Sequence, residues 1–351
     1  MDASAETIRS ALLDWYDCHA RSLPWRSPPG TPPPEPYRVW LSEVMLQQTT
    51  TTAVVPYYAK FLATWPTVEA LAAAEDGEVM TAWAGLGYYA RARNLLACAR
   101  AVAARGGIFP ATELELRELP GLGAYTAAAV AAIAFDEPAT VIDANVERVI
   151  ARLHAIDEPL PGARKTIRAR AEELSPDKRP GDFAQAMMDL GATICTARNP
   201  RCLLCPLGQS CAGHRVGAEC FPVKAPRQAK PQRKGRAFWI VRDEAVWLVT
   251  RPSKGMLGGM RALPDDGWNA RADGDRVAPI EGKWQAGGMV RHGFTHFDLD
   301  LQLMLYSGSD CSRLDGDGVW WPLARIEDAG LPTLFAKAAR LALAQAATPG
   351  E

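Results

Sequence analysis

The chain has 351 residues, 48% apolar and 23% charged, with a formal net charge of −1. That length accommodates two domains or three, each with its own core. The near-zero charge excludes a polycation that would bind nucleic acid through its total charge alone. The longest Ala-rich stretch, residues 126–135, falls far short of the ~18 residues of a membrane span. The N-terminus lacks the basic start and apolar core of a secretory signal. A soluble, cytoplasmic chain with no membrane partner is expected.

Residues 5–219 read as almost entirely helical. Ile8, Leu12, Leu13 and Tyr16 recur at helical spacing. So do Leu86, Ala90, Leu95 and Ala99, in a segment that ends at Gly106-Gly107. The Pro-rich run 27–36 makes a surface loop, and breakers such as Pro66, Gly77, Pro120-Gly121, Pro138 and Pro161-Gly162 separate short helices. Between Cys195 and Arg236 lie nine Lys/Arg residues, Arg227 among them, against one acid, Glu219. Such a stripe suits either a phosphate backbone or a solvated linker. Residues 221–236, with three prolines and no acid, read as a basic linker. Beyond it the period becomes two. Segments 237–242 and 245–250 look like paired strands around Asp243-Glu244, and 298–306 alternates like a half-buried strand. An amphipathic helix, 331–346, closes the chain. The expected architecture is an all-α region, 1–220, followed by a smaller α+β domain, 237–347.

Four features carry chemistry. In Leu119-Pro-Gly-Leu-Gly-Ala-Tyr125, the segment Gly121-Leu122-Gly123 lets the backbone turn between two helices and leaves N–H groups free at the start of the next, where a phosphate binds. Asp143 precedes an apolar-periodic helix and is first of all an N-cap, which also fixes a carboxylate rigidly. Cys195, Cys202, Cys205 and Cys211, spaced x6, x2 and x5, are clustered, whereas Cys18, Cys98, Cys220 and Cys311 are scattered. Four thiolates close around an iron–sulfur cluster or a structural zinc, and thiolate chemistry alone does not choose. Glu43 stands between Val39-Trp40-Leu41 and Val44-Met45-Leu46, so burial should raise its pKa.

These features stand in order with Leu23-Pro-Trp-Arg26, Pro36-Tyr-Arg-Val-Trp-Leu-Ser-Glu43 and Gly85-Leu-Gly-Tyr-Tyr-Ala-Arg91. Together they resemble the MutY family of adenine DNA glycosylases, in the helix–hairpin–helix (endonuclease III) superfamily of base-excision repair. The resemblance runs from about residue 8 to 212 and resumes in the second domain, departing in the lengthened Pro-rich loop and a shortened, divergent C-terminal domain.

The resemblance implies a helix–hairpin–helix glycosylase domain with a 4Fe–4S loop at 195–211, then a Nudix-like domain. The substrate would be duplex DNA with adenine opposite 8-oxoguanine or guanine, bound by a monomer. It further implies that Glu43 protonates adenine N7 and helps activate the attacking water, while Asp143 stabilises the cationic sugar. Asn145 and Arg26 would surround the sugar, water and base, and Gln185 would hydrogen-bond the flipped adenine. Tyr125 takes the place of the Schiff-base lysine of bifunctional relatives, so no lyase activity is expected. Leu46, Gln48, Thr49, Leu86 and Tyr88, with Gly121, Leu122 and Gly123 of the hairpin, would meet DNA or the opposite base, Tyr88 as a wedge. A monovalent cation at the hairpin is a further implied ligand. In the second domain, Lys254-Gly-Met-Leu-Gly-Gly-Met-Arg261 and Arg291-His-Gly-Phe-Thr-His296 match the lesion sensor, with Phe294, Thr295 and His296 as its probing loop. No Arg-Glu-x-x-x-Glu-Glu run follows the glycines, so a binding rather than a hydrolysing Nudix domain is expected.

Overall fold

A computed structural model describes residues 4–225, 229–252, 255–308, 314 and 318–346. Arg227, Lys254, Cys311 and residue 347 therefore lie outside the described residues. The chain divides into two compact units, Met1–Pro226 and Arg227–Glu351.

The first unit is helical: α1 (Ala5–His19), α2 (Pro36–Leu46), α3 (Thr51–Thr64), α4 (Val68–Ala72), α5 (Asp76–Trp83), α6 (Tyr89–Ala103), α7 (Glu113–Leu116), α8 (Ala124–Phe135), α9 (Ala144–Leu153), α10 (Arg164–Leu174), α11 (Pro180–Thr193) and α12 (Ala212–Val216). Local chemistry sets the starts. Ser4, Thr50, Thr67, Thr112 and Asp143 each accept a backbone N–H of the first turn, and prolines open α2 and α11. At the centre lies α8, whose residues from Thr126 to Ala134 are all buried. A helix apolar all round has no solvent face and must be enclosed; α2, α7 and α11 pack around it. Leu86 departs from its expected helical place. It falls in the turn before α6, because Gly85 and Gly87 both adopt positive φ and end α5 there.

The second unit has two sheets, one ordered β1-β6-β5 and one ordered β2-β3-β4 with β7 also paired to β3. Its elements are β1 (Gln232–Trp239), β2 (Val241–Arg242), β3 (Ala245–Thr250), β4 (Arg261–Ala262), β5 (Trp284–Gly293), β6 (Asp298–Tyr306), β7 (Gly318–Pro322) and α13 (Thr333–Ala346). β6 buries Leu299, Leu301 and Leu303 and exposes the alternate residues more, as its period requires.

Two sequence expectations change. The linker 221–236 is shortened from both sides. Leu160 N–H donates to Val223 O (2.9 Å) and Arg152 Nε to Phe221 O (3.0 Å), while Gln232 already begins β1. Gln-Arg-Lys-Gly-Arg shows no apolar alternation because β1 lies at a sheet edge and is held there by its parallel backbone ladder with β6. The hairpin expected from 237–242 and 245–250 is also split. Residues 241–242 pair with β3 around Asp243-Glu244, but 237–239 belong to β1, in the other sheet.

Candidate active site

Two adjoining cavities open in the first unit, of about 390 and 630 Å³. Both are within the size range of ligand clefts. Glu43, Leu46, Tyr125 and Asp143 line both and mark where they meet. The smaller one continues past Arg26, Asn145 and Gln185, and the larger past Gln48, Glu147, Arg164 and Arg168.

Glu43 comes from α2 and is 5% exposed. Burial raises its pKa above the ordinary carboxyl value; a hydrogen bond from Tyr125 and the charge of Arg26 oppose that, and Asp143 adds to it. Tyr125, the second residue of α8, donates its hydroxyl to Glu43 Oε2 at 2.7 Å. Burial and the two nearby carboxylates hold the phenol well above its usual pKa, so it remains a donor. Asp143 caps α9. Its Oδ1 accepts Val146 N–H (2.7 Å) and its Oδ2 accepts from Asn145 Nδ2 (2.9 Å). Both bonds fix the orientation of the carboxylate at the start of the helix. The two acids thus occupy unlike surroundings beside one cavity.

The N-terminal segment reaches this cavity through Asp189, which the sequence reading missed. Fully buried on α11, it accepts from Arg26 Nη1 (2.7 Å), from Arg21 Nε (2.6 Å) and from Arg21 N–H (3.0 Å). An acid flanked by Met187-Met188 and Leu190-Gly191 was the available signal: a charge on an apolar helix face needs a buried partner. Gln185, also buried, donates to Gly181 O (3.2 Å) and lines the cavity. Arg148, likewise missed, joins Asn145 Oδ1 (2.9 Å) to Gly191 O (2.8 Å) and Cys195 O (2.8 Å). Gly191 has to be glycine, since a Cβ there would lie 2.6 Å from Asn145 Cβ.

Around the rim, Gln48 is exposed and Thr49 half-buried. Tyr88 is 62% exposed, while Tyr89 packs against the core, so the two rings divide between surface and interior. Leu86 is a correction: its side chain is buried and serves the core. In the hairpin, Gly121 sits at φ 78°, and a Cβ would press on Asn94 Cβ at 2.6 Å. Leu122 is buried as the anchor of the turn, so main-chain groups form its outer surface.

The four clustered cysteines belong to a single loop region. Cys205 is pushed up to about 11 mainly by burial, with Cys195, Cys211 and Cys202 adding to it, so a metal group must displace protons to bind. Arg152, a buried cation missed from the sequence, donates to Cys195 Sγ (3.3 Å) and to the carbonyls of Cys195, Thr196 and Ala197. N–H donation to a ligating sulfur and an all-sulfur donor set fit an iron–sulfur group. Elsewhere, Cys98 is buried, while Cys18 and Cys220 are exposed.

In the second unit, Thr295 and His296 are exposed beside a half-buried Phe294, which stacks on Phe297 at 4.7 Å and packs against Trp268 and His292. The loop therefore presents two polar side chains on an aromatic anchor.

Comparison with known proteins shows the family. Residues 41–176 match the HhH-GPD superfamily base excision DNA repair protein family, 195–211 the iron-sulfur binding domain of endonuclease III, and 236–341 the NUDIX domain. The adenine DNA glycosylase of Mycolicibacterium smegmatis is 39% identical over 68% of this chain and 82% of its own length. The human one is 35% identical, over 86% of this chain and 67% of its length. The chain spans only 49% of the Arabidopsis thaliana relative, which is 38% identical over 76% of this chain. Among solved structures, a thermostable thymine-DNA glycosylase aligns with a TM-score of 0.54 at 31% identity, over 60% of this chain and 97% of that one. An iron–sulfur site, a helix–hairpin–helix glycosylase unit and a Nudix-like unit thus share one polypeptide, and the chain belongs to the adenine DNA glycosylase family.

Proposed function

We propose that this chain removes adenine paired with 8-oxoguanine or guanine in duplex DNA, hydrolysing the N-glycosidic bond without cutting the strand. The observation that carries this is the pair of unlike acids at the junction of the cavities. Two carboxyl groups in unlike surroundings divide the work of acid and anion. Glu43, buried and held towards its protonated form, supplies a proton to the base. That lowers the barrier to departure, and general acids of this kind contribute about 10²–10⁴-fold. Asp143, held in place by two hydrogen bonds, faces the sugar as positive charge develops. Tyr125 orients Glu43 and has no amine to form an imine. A base must leave the stack to reach this cavity, and Gln185 and Arg26 line the space it would enter.

The cysteine loop would hold one 4Fe–4S cluster through Cys195, Cys202, Cys205 and Cys211. When bound, such a cluster would supply a covalent tie between the ends of the loop and a local charge. The protein is read as a monomer, with hairpin main-chain groups at 121–123 meeting phosphate or a monovalent cation. The loop of Phe294, Thr295 and His296 would read the opposite base, since 8-oxoguanine differs from guanine in groups that a hydroxyl and an imidazole sense.

The test is cleavage of end-labelled A:8-oxoG, A:G and T:G duplexes, with and without alkali. Product from the two adenine duplexes that appears only after alkali is expected. Product from T:G alone would shift the assignment to the thymine glycosylases, and strand breaks without alkali would remove the hydrolase reading. Thr295→Ala with His296→Ala should narrow the difference between A:8-oxoG and A:G.

A further inference from the structure

One guanidinium in the first unit collects acceptors from two loops that are far apart in sequence. Arg91 lies near the start of α6. Its Nη1 donates to Val44 O (3.3 Å), Met45 O (3.0 Å) and Gln47 O. Its Nη2 donates to Thr49 Oγ1 (3.2 Å), Leu86 O (3.0 Å) and Gly87 O (3.5 Å). The carbonyls at 44, 45 and 47 belong to the C-terminal end of α2, where no following turn supplies N–H partners. A cation there also suits the negative end of the helix dipole.

The planar faces of the same group are used as well. Its central carbon lies 5.3 Å from the Trp83 ring centroid and 5.5 Å from that of Tyr88. Each loop carries a non-glycine residue in the left-handed region, Gln48 at φ 58° and Tyr88 at φ 49°. Such conformations persist only where the surroundings over-determine them. Tyr88 is 62% exposed, so burial does not hold it. Arg91 does, from beneath.

We propose that Arg91 is a positioning residue that ties loop 47–50, loop 84–88 and the helix bearing Glu43 into one rigid reading surface. This rests on the proposed function and on the family resemblance, which implies that Gln48, Thr49 and Tyr88 meet the DNA or the base opposite the adenine. A lysine cannot substitute. It has one ammonium with three donors and no planar face, so it cannot serve both loops and stack beneath the Tyr88 ring.

The lock is tested without DNA by hydrogen exchange on the full iron-loaded protein. In Arg91→Lys, amides of 47–50 and of 84–88 should exchange at least tenfold faster, both loops together. Thr49→Val removes a single acceptor from the first loop and keeps the guanidinium, so it covers the case in which Arg91→Lys fails to fold. It should still speed exchange at 84–88 by threefold or more. Loosening confined to the mutated loop in Thr49→Val, or to one loop in Arg91→Lys, overturns the proposal.

The second arm uses DNA carrying an uncleavable adenine analogue opposite 8-oxoguanine. Tyr88→Ala should weaken binding tenfold or more in the wild-type background but less than threefold with Arg91→Lys, because the ring is already unsupported. A residue that merely stabilised the fold would give equal losses in both backgrounds. Equal losses therefore count against the lock. If the wild type shows no preference for A:8-oxoG over A:G, the functional reading falls, while the exchange arm still decides whether Arg91 joins the loops.

Discussion

The cavity wall and the loop rim of the first unit face the same opening but are built in opposite ways. In the wall, Glu43 and Gln185 are each 5% exposed, Asp189 is fully buried, and each polar group has named partners. At the rim, Gln48 and Tyr88 stand in solvent on left-handed backbone, held from below by one half-buried arginine. Proton transfer and charge stabilisation strengthen in a low-dielectric surround. Reading a base requires side chains that reach outward. The wall therefore spends polar burial on chemistry, and the rim spends backbone strain on reach.

If that division is real, wall substitutions should act on rate or folding and rim substitutions on affinity. The largest effect is expected in the wall. Glu43→Gln and Asp143→Asn should each lower the single-turnover rate by about 10²–10⁴-fold, the range for a positioned acid or an electrostatic stabiliser. Duplex affinity should stay near wild type, because the lost groups act in the transition state. Binding lost in proportion to rate would erase the distinction. Next comes Asp189→Asn, which leaves Arg26 and Arg21 without their carboxylate. Denaturant unfolding should show a loss of about 3–5 kcal/mol, as for a broken buried pair. Smaller still is Tyr88→Ala, expected to cost about 1–3 kcal/mol of duplex affinity, the range for one aromatic–base stack. Its single-turnover rate at saturating DNA should change less than its affinity.

The smallest effect is a pH dependence. Because Glu43 has a raised pKa when folded, the folded state keeps a proton that the unfolded chain releases. The contribution is fully present below the ordinary carboxyl pKa and is lost as pH climbs through the raised one. Glu43→Gln removes this, so its melting temperature should rise relative to wild type as the buffer goes from acidic to mildly alkaline. A constant difference across that window would mean that Glu43 is not held towards its protonated form. Adenine release by the wild type should slow over the same rise in pH, as the acid is lost.

Much of the first unit was legible from sequence where its residues obey local rules. Asp143 reads as a cap, Gly121 as a tight turn, and Glu43 as an acid inside an apolar run, and the structure gives each that place. The arginines were not legible. Arg91, Arg148 and Arg152 sit on helices where a cation ordinarily faces water, and only tertiary packing turns them towards carbonyls and sulfur. Asp189 lay between the two cases: its apolar neighbours announced burial, but the partners are more than 160 residues away in sequence. In the second unit, β6 followed its own alternation, whereas the start of β1 is held by backbone pairing that leaves no mark on side-chain pattern.

The central helix α8 has a consequence for how the protein tolerates change. An ordinary surface helix offers a permissive stripe where substitutions are nearly neutral. From Thr126 to Ala134, α8 offers none, and most of these positions are alanine. Enlarging any of them intrudes on a neighbouring helix, and overpacking of this kind costs typically about 1–3 kcal/mol. Reducing one to glycine costs about 1 kcal/mol of helix propensity. A saturation scan should therefore find an intolerant segment without the usual three-to-four-residue rhythm. Tolerance along α8 should be confined to its ends, Tyr125 at the cavity and Phe135 at the far turn, so the chemistry at one end of this helix can change more readily than the helix itself.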